Sequence, residues 1–198
     1  MPRLLIVIAS TRPGRRGAAV ADWFAAVARA HGGFDVEIAD LAEIDLPPLN
    51  EPNDDARDDY VHEHTKRWSA TATVAAADAV VFVMPEYNRT FTAPLKNALD
   101  YLYYEWNYKP VGLVSYGGVS GGLRAAYAIK PALTALRMVP IDDGVTISRV
   151  RRHIVDGRLQ GDEMHAESAA EMLDELAKLS TALAPLRPDL MMSANGGS

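Results

Sequence analysis

Three short, continuous apolar runs punctuate the chain, at residues 4–8, 79–84 and 111–115. Such runs predict strands covered on both faces, as in a parallel sheet. Residues 34–38 (Phe34-Asp35-Val36-Glu37-Ile38) instead alternate strictly, which predicts a half-exposed edge strand. A last strand is expected from residues 138–141 and 145–147, interrupted at Asp142-Asp143-Gly144. Between the strands the apolar period becomes helical. Val20, Phe24, Val27 and Ala28, with Trp23 beside them, share a face over residues 18–30, and Gly32-Gly33 predicts the stop. Val61, Thr65, Trp68, Ala72 and Ala75 predict a helix over 58–76, after a Pro-rich loop at 46–52 and a polar stretch at 53–57. Leu95, Ala98, Leu99 and Leu102 mark another, with Thr92 as N-cap and Pro94 in its first turn. Further helices are expected over 123–137 and over 163–183, the last with Ala169, Leu173, Leu176, Ala177 and Leu183 inward. Asp156-Gly157 predicts a tight turn.

Strands alternating with helices predict a three-layer α/β fold around a five-stranded parallel sheet. An edge-like second strand beside buried first, third and fourth strands predicts the order 2-1-3-4-5. No internal repeat or linker divides the chain, so one domain is expected over 1–184, followed by a flexible Pro-, Ser- and Gly-rich tail at 185–198. A chain of 198 residues is long enough to bury roughly 70% of its unfolded surface. A net charge of −6 argues against a general nucleic-acid binder. The absence of Cys excludes disulfides, thiolate metal sites and Cys nucleophiles. No apolar run approaches the roughly 20 residues that span a bilayer. The chain enters a core strand without a signal-peptide pattern, and a cytoplasmic protein is expected.

Candidate chemistry lies in three loops, each following a buried strand. In an open α/β sheet such loops share the carboxyl edge, where ligands bind. The first, Ala9-Ser10-Thr11-Arg12-Pro13-Gly14-Arg15-Arg16-Gly17, leads into a helix. Free N–H groups of a first helical turn, the helix dipole, the Ser10 hydroxyl and the guanidinium forks of Arg12, Arg15 and Arg16 suit a phosphate. A solvated basic loop is the plainer reading of the same residues. The second loop is Pro85-Glu86-Tyr87-Asn88, polar and aromatic. The third, Tyr116-Gly117-Gly118-Val119-Ser120-Gly121-Gly122, offers bare backbone for close approach to a flat ring.

These loops, with Leu95-Lys96-Asn97-Ala98-Leu99-Asp100 and Leu123-Arg124-Ala125, resemble the NADPH-dependent FMN reductase family over roughly the first 150 residues. The resemblance implies a flavodoxin-like fold, FMN as cofactor and NADPH or NADH as co-substrate. It also implies ping-pong hydride transfer from nicotinamide to flavin N5 and on to a small acceptor: a quinone, an azo compound, a flavin or a metal oxyanion. Carried over residue by residue, it implies phosphate binding by Ser10, Arg12, Arg15, Arg16 and Gly17. Pro85, Glu86, Tyr87 and Asn88 would then contact ribityl and isoalloxazine, and Tyr116, Gly117, Gly118 and Gly121 would border the ring. No dedicated catalytic side chain and no metal are implied, and a homodimer is. Ala9 stands where the family commonly has Gly, which requires that this residue keep a negative φ.

Several features admit other readings. Gly118-Val119-Ser120-Gly121-Gly122 matches the G-x-S-x-G nucleophile elbow, with Asp142 or Asp143 and then His153 or His165 in hydrolase order, so a serine esterase using Ser120 is a rival. A flavodoxin-type electron carrier is another. His62 and His64, two apart on a helix, should diverge and not share a metal. Tyr101, Tyr103, Tyr104, Trp106 and Tyr108 suit core packing, a subunit interface or a wall over the flavin. Arg149, Arg151 and Arg152 read first as a solvated basic stretch and second as partners of an NADPH phosphate.

Overall fold

The structure, a computed structural model, describes residues 1–52, 60–70 and 74–188. The main sheet contains β1 (Arg3–Ile8), β2 (Asp35–Asp40), β3 (Ala79–Pro85), β4 (Pro110–Tyr116) and β5 (Val139–Ile147). All neighbours are parallel, in the order β2-β1-β3-β4-β5, the flavodoxin-like arrangement. β3 and β4 are buried at every residue, as their uninterrupted apolar runs require. Side chains alternate across β1. Leu5 and Val7 join Phe82, Trp68, Trp106 and Ile129 on one face, while Leu4, Ile6 and Ile8 join Phe24, Val81 and Leu173 on the other.

The helices are α1 (Gly17–His31), a single turn α2 (Leu41–Ile44), α3 (Glu63–Ala70), α4 (Ala93–Asp100), α5 (Leu123–Ala135) and α6 (Glu163–Leu183). α1 stops at Gly32, which takes a left-handed φ of 75°. The Thr92 hydroxyl caps α4 by accepting from Leu95 N–H at 3.3 Å. α3 starts later than the sequence pattern implies. Val61 lies outside it and is exposed, because the Glu51 carboxylate accepts from the N–H groups of Val61 and His62 and holds the helix entry there. Residues 74–76 form a turn and not the end of that expected helix; its residues 58–59 and 71–73, and the polar stretch at 53–57, lie outside the described residues.

β5 is one strand, as expected, with an irregularity in its middle. Val111 faces Pro140 while Leu113 faces Gly144, so the extra residues on β5 bulge where the interruption was expected. A Cβ on Gly144 would sit 2.9 Å from the Leu113 carbonyl oxygen, so the strand closes only with glycine there. A two-residue turn at Asp156 and Gly157, both with positive φ, joins the short strands β6 (Ile154–Val155) and β7 (Arg158–Leu159). Residues 184–186 form a 3-10 turn, and Arg187 ties it to Asp78. Residues 189–198 of the expected tail lie outside the described residues. No helix among the described residues is long and apolar enough to cross a membrane.

At the amino edge of the sheet, Lys109 is buried and donates to the Val74 and Ala75 carbonyls. Burial and nearby Arg187 push its pKa down to about 7, against the pull of Glu105 and Asp78. The unfolded chain therefore keeps this proton to higher pH than the native protein, and the contribution of Lys109 to native stability rises with pH above about 7. We expect the stability difference between the wild type and Lys109→Met, measured by urea unfolding, to grow in favour of the wild type between about pH 7 and 9.5. The limiting slope is about 1.4 kcal/mol per pH unit; a difference that stays flat would refute the assignment.

Candidate functional site

The first loop leaves β1 at Ala9, which is not among the positive-φ residues, so alanine fits where glycine was the family habit. Ala9 N–H donates to Val83 O at 3.0 Å, and its carbonyl accepts from the Thr92 hydroxyl at 2.7 Å. The end of β1 is thereby fastened to β3 and to the cap of α4. Ser10 is fully buried and accepts a hydrogen bond from the Tyr116 hydroxyl at 3.1 Å. Burial, only partly offset by that bond, pushes the Tyr116 phenol up to about 12, so it remains a donor. Gly17 makes this contact possible. A Cβ there would overlap the Ser10 hydroxyl and approach Ile8 Cγ2 to 2.9 Å and the Tyr116 hydroxyl to 3.0 Å.

α1 begins at Gly17 with Arg16 in the N-cap position and no side chain capping its first turn. Its N–H donors therefore remain available to an anion. Arg15 lines the cleft and also has partners within the protein. Its guanidinium grips Asp40 through two 2.5 Å bonds and also donates to the Ser10 carbonyl at 2.8 Å. Asp40 closes β2 and caps α2, so Arg15 pins the loop to the neighbouring strand.

The second loop is a tight reversal. Tyr87 and Thr90 exchange backbone bonds of 3.0 and 3.1 Å around Asn88 and Arg89, whose φ values are 49° and 71°. Asn88 sits exposed at the tip, and the Arg12 guanidinium lies 5.9 Å from the Tyr87 ring centroid. Glu86 turns toward the third loop. Its carboxylate accepts from the Ser120 hydroxyl at 2.9 Å, Arg124 N–H at 3.2 Å and the Arg124 guanidinium at 2.9 Å. Burial opposes the charge, but the bonds from Arg124 and Ser120 outweigh it and hold the carboxyl below its usual range.

In the third loop Gly121 and Gly122 take φ values of 62° and 90° and turn the chain into α5. Gly121 is buried, with Ser148 N only 3.1 Å from where a Cβ would stand. Gly118 is exposed and has open space about it. The nucleophile-elbow reading does not survive this geometry. Ser120 donates to Glu86, Asp142 pairs with Lys130, and the His153 and His165 rings pack on each other, with His165 also against Trp23.

The loops converge on one cleft of about 580 Å³ at the carboxyl edge. Arg12, Arg15 and Arg16 line one side; Pro85, Glu86 and Tyr87 line a second; Tyr116, Gly117 and Gly118 line a third. Ser10, Gly17, Asn88 and Gly121 are not part of the lining: three are buried supports and Asn88 is the loop tip. Arg149, Arg151 and Arg152, read first as solvated, do line it. Their position directly after the last parallel strand was the available signal, since every such loop emerges at this edge. None of the five clustered aromatics lines the cleft. Trp106 and Tyr101 are buried, donating to the Leu99 and Pro47 carbonyls at 3.1 Å each. His62 precedes α3 instead of riding on it, so its ring does not diverge but stacks on His64 at 5.1 Å. Among the described residues no group of three acidic or His side chains could hold a metal.

The family model for NADPH-dependent FMN reductase matches residues 2–151. An NAD(P)H-dependent FMN reductase of Schizosaccharomyces pombe is 38% identical over 151 residues, covering 75% of this chain and 74% of that protein. An NADPH azoreductase of a Bacillus species is 34% identical over 131 residues, covering 65% of this chain and 69% of that protein. Among solved structures, the flavoenzyme NAD(P)H:(acceptor) oxidoreductase of Paracoccus denitrificans superposes with a TM-score of 0.69 at 23% identity, covering 92% of this chain and 98% of that one. A Megasphaera elsdenii flavodoxin superposes at 0.53 and 16% identity, covering 87% of this chain and 98% of that one. At these identities the two structures establish the shared fold alone.

The seat of α1 is open to a direct test. Gly17→Ala should cost about 1–3 kcal/mol of stability, because the added methyl displaces the buried Ser10 and Tyr116 hydroxyls. An unchanged midpoint in urea unfolding would show that the close approach is not a constraint.

Proposed function

The chain belongs to the NADPH-dependent FMN reductase family, and from that premise we propose that its cleft holds FMN and passes electrons from a nicotinamide dinucleotide to a small acceptor. The observation that carries this reading is the convergence of an uncapped helix N-terminus, an arginine rim and a bare glycine shelf on one cleft. The residues fit the cofactor. Arg12, Arg16 and the first-turn N–H groups of α1 are phosphate donors. Pro85, Tyr87 and Gly118 offer flat or unobstructed surface to a ring.

When bound, the flavin supplies the two-electron relay between nicotinamide and acceptor. The chain's own residues bind and orient. Glu86 holds the glycine loop through Ser120 and Arg124, so the shelf is set before any ligand arrives. Tyr116, protonated, props Ser10 beneath the phosphate end. Arg15 cancels the Asp40 charge that would otherwise oppose an anion.

Quinones and azo compounds are the acceptor classes we favour, because relatives are named quinone reductase and azoreductase. The same reading takes the protein as a cytoplasmic homodimer, supported by the family resemblance. No observation favours a one-electron carrier. The reading is tested by an absorption spectrum of the protein supplied with FMN, followed by anaerobic addition of NADPH or NADH. The protein should turn yellow and then bleach, and a protein that takes up no FMN refutes the reading. Arg12→Ala should raise the FMN dissociation constant about tenfold or more, as loss of one charge-assisted bond implies. Its unfolding midpoint should not move, since the Arg12 side chain is exposed.

A further inference from the structure

The cleft holds more positive charge than one phosphate monoester uses. Six arginines line it, in two groups: three before α1 and three after β5. Among the described residues only Arg15 of these six has a carboxylate partner. A flavin phosphate carries about two negative charges and lies naturally at the α1 N-terminus, within reach of Arg12 and Arg16. The second group is left without a task.

That second group is not a loose basic stretch. Arg149 takes a left-handed φ of 49° and starts a 3-10 turn over Val150–Arg152. Arg149 N–H donates to Gly118 O at 2.6 Å, and Val150 N–H donates to Gly117 O at 3.1 Å. The Val150 side chain is buried in the core between the sheet and α1 and α6. Two backbone bonds and a buried anchor thus hold Arg151 and Arg152, both exposed, at the rim beside the shelf. Solvated arginines need no such mounting.

We propose that the 149–152 turn is a subsite for a second phosphate monoester, the 2′-phosphate of NADPH, and that Arg151 and Arg152 select NADPH over NADH. This rests on the reading of the cleft as a flavin site served by a nicotinamide dinucleotide. The pyrophosphate is common to both dinucleotides and spreads one charge over each phosphorus. The 2′-phosphate is the terminal dianion that only NADPH carries, and guanidinium forks crowded within four residues match such a group. Arg149 sets the turn through its backbone, so the test leaves it in place.

Calorimetric titration of the FMN-loaded protein should show adenosine 2′,5′-bisphosphate binding about tenfold or more tightly than adenosine 5′-monophosphate. In Arg151→Ala/Arg152→Ala that preference should fall to near unity. The ratio of kcat/KM for NADPH to that for NADH should fall by a similar factor, and the FMN dissociation constant should stay where it was. Equal binding of the two nucleotides by the wild type, or a preference retained by the variant, overturns the proposal. A variant that loses FMN instead also overturns it, by assigning the turn to the flavin phosphate. A wild type that takes up no FMN refutes the underlying flavin reading, a result distinct from loss of phosphate preference.

Discussion

The Tyr116 hydroxyl reaches from the end of β4 to Ser10 at the end of β1, and a missing side chain at Gly17 leaves room for it. Three segments far apart in sequence meet at that point. β3 lies between the two strands, so the contact spans the middle of the carboxyl edge. It sets how low the first turn of α1 sits, and therefore where its free N–H groups point. A larger residue at position 17 would lift the helix start away from the cleft floor. Because the contact is buried, the phenol stays protonated and the bond persists across the ordinary pH range.

A second organising feature is the treatment of acidic side chains. The chain carries a net charge of −6, yet its cleft is cationic. Asp40 is neutralised by Arg15 and Glu86 by Arg124, and Glu86 also accepts a hydrogen bond from Ser120. Each carboxylate becomes scaffolding: one fixes the first loop to β2, the other fixes the glycine loop to the segment after β3. What remains facing the open space is a set of guanidinium groups and exposed backbone. That distribution attracts phosphorylated ligands while the rest of the surface stays acidic.

Much of this was readable before any coordinates. The apolar runs at 4–8, 79–84 and 111–115 required a sheet covered on both faces, and the alternation at 34–38 required an edge. Strand order followed, and so did the convergence of the three loops, because parallel crossovers send every strand end to the same side. Local chemistry was equally legible at Thr92, Gly32 and Asp156-Gly157, where a cap or a turn depends on a few adjacent residues. What local pattern failed to show was competition between distant partners. Glu51 cuts short the start of α3 from 10 residues away. Arg15 is taken by Asp40, 25 residues on, and Ser120 by Glu86, 34 residues back.

Hydrophobic period and turn chemistry are properties of neighbouring residues, so the sequence alone determined the elements, their order in the sheet and the edge at which chemistry collects. Which arginine is tied down and which faces the cleft is a property of three-dimensional proximity. The turn after β5 shows the difference most plainly. Apart from their place after the last parallel strand, its arginines carry no local pattern that separates them from a solvated basic stretch. They reach the cleft only because Val150 is drawn into the core and Gly117 and Gly118 supply carbonyls at the right place. A charged side chain has no periodicity to betray its partner, and only the packed sheet brings the two within bonding distance.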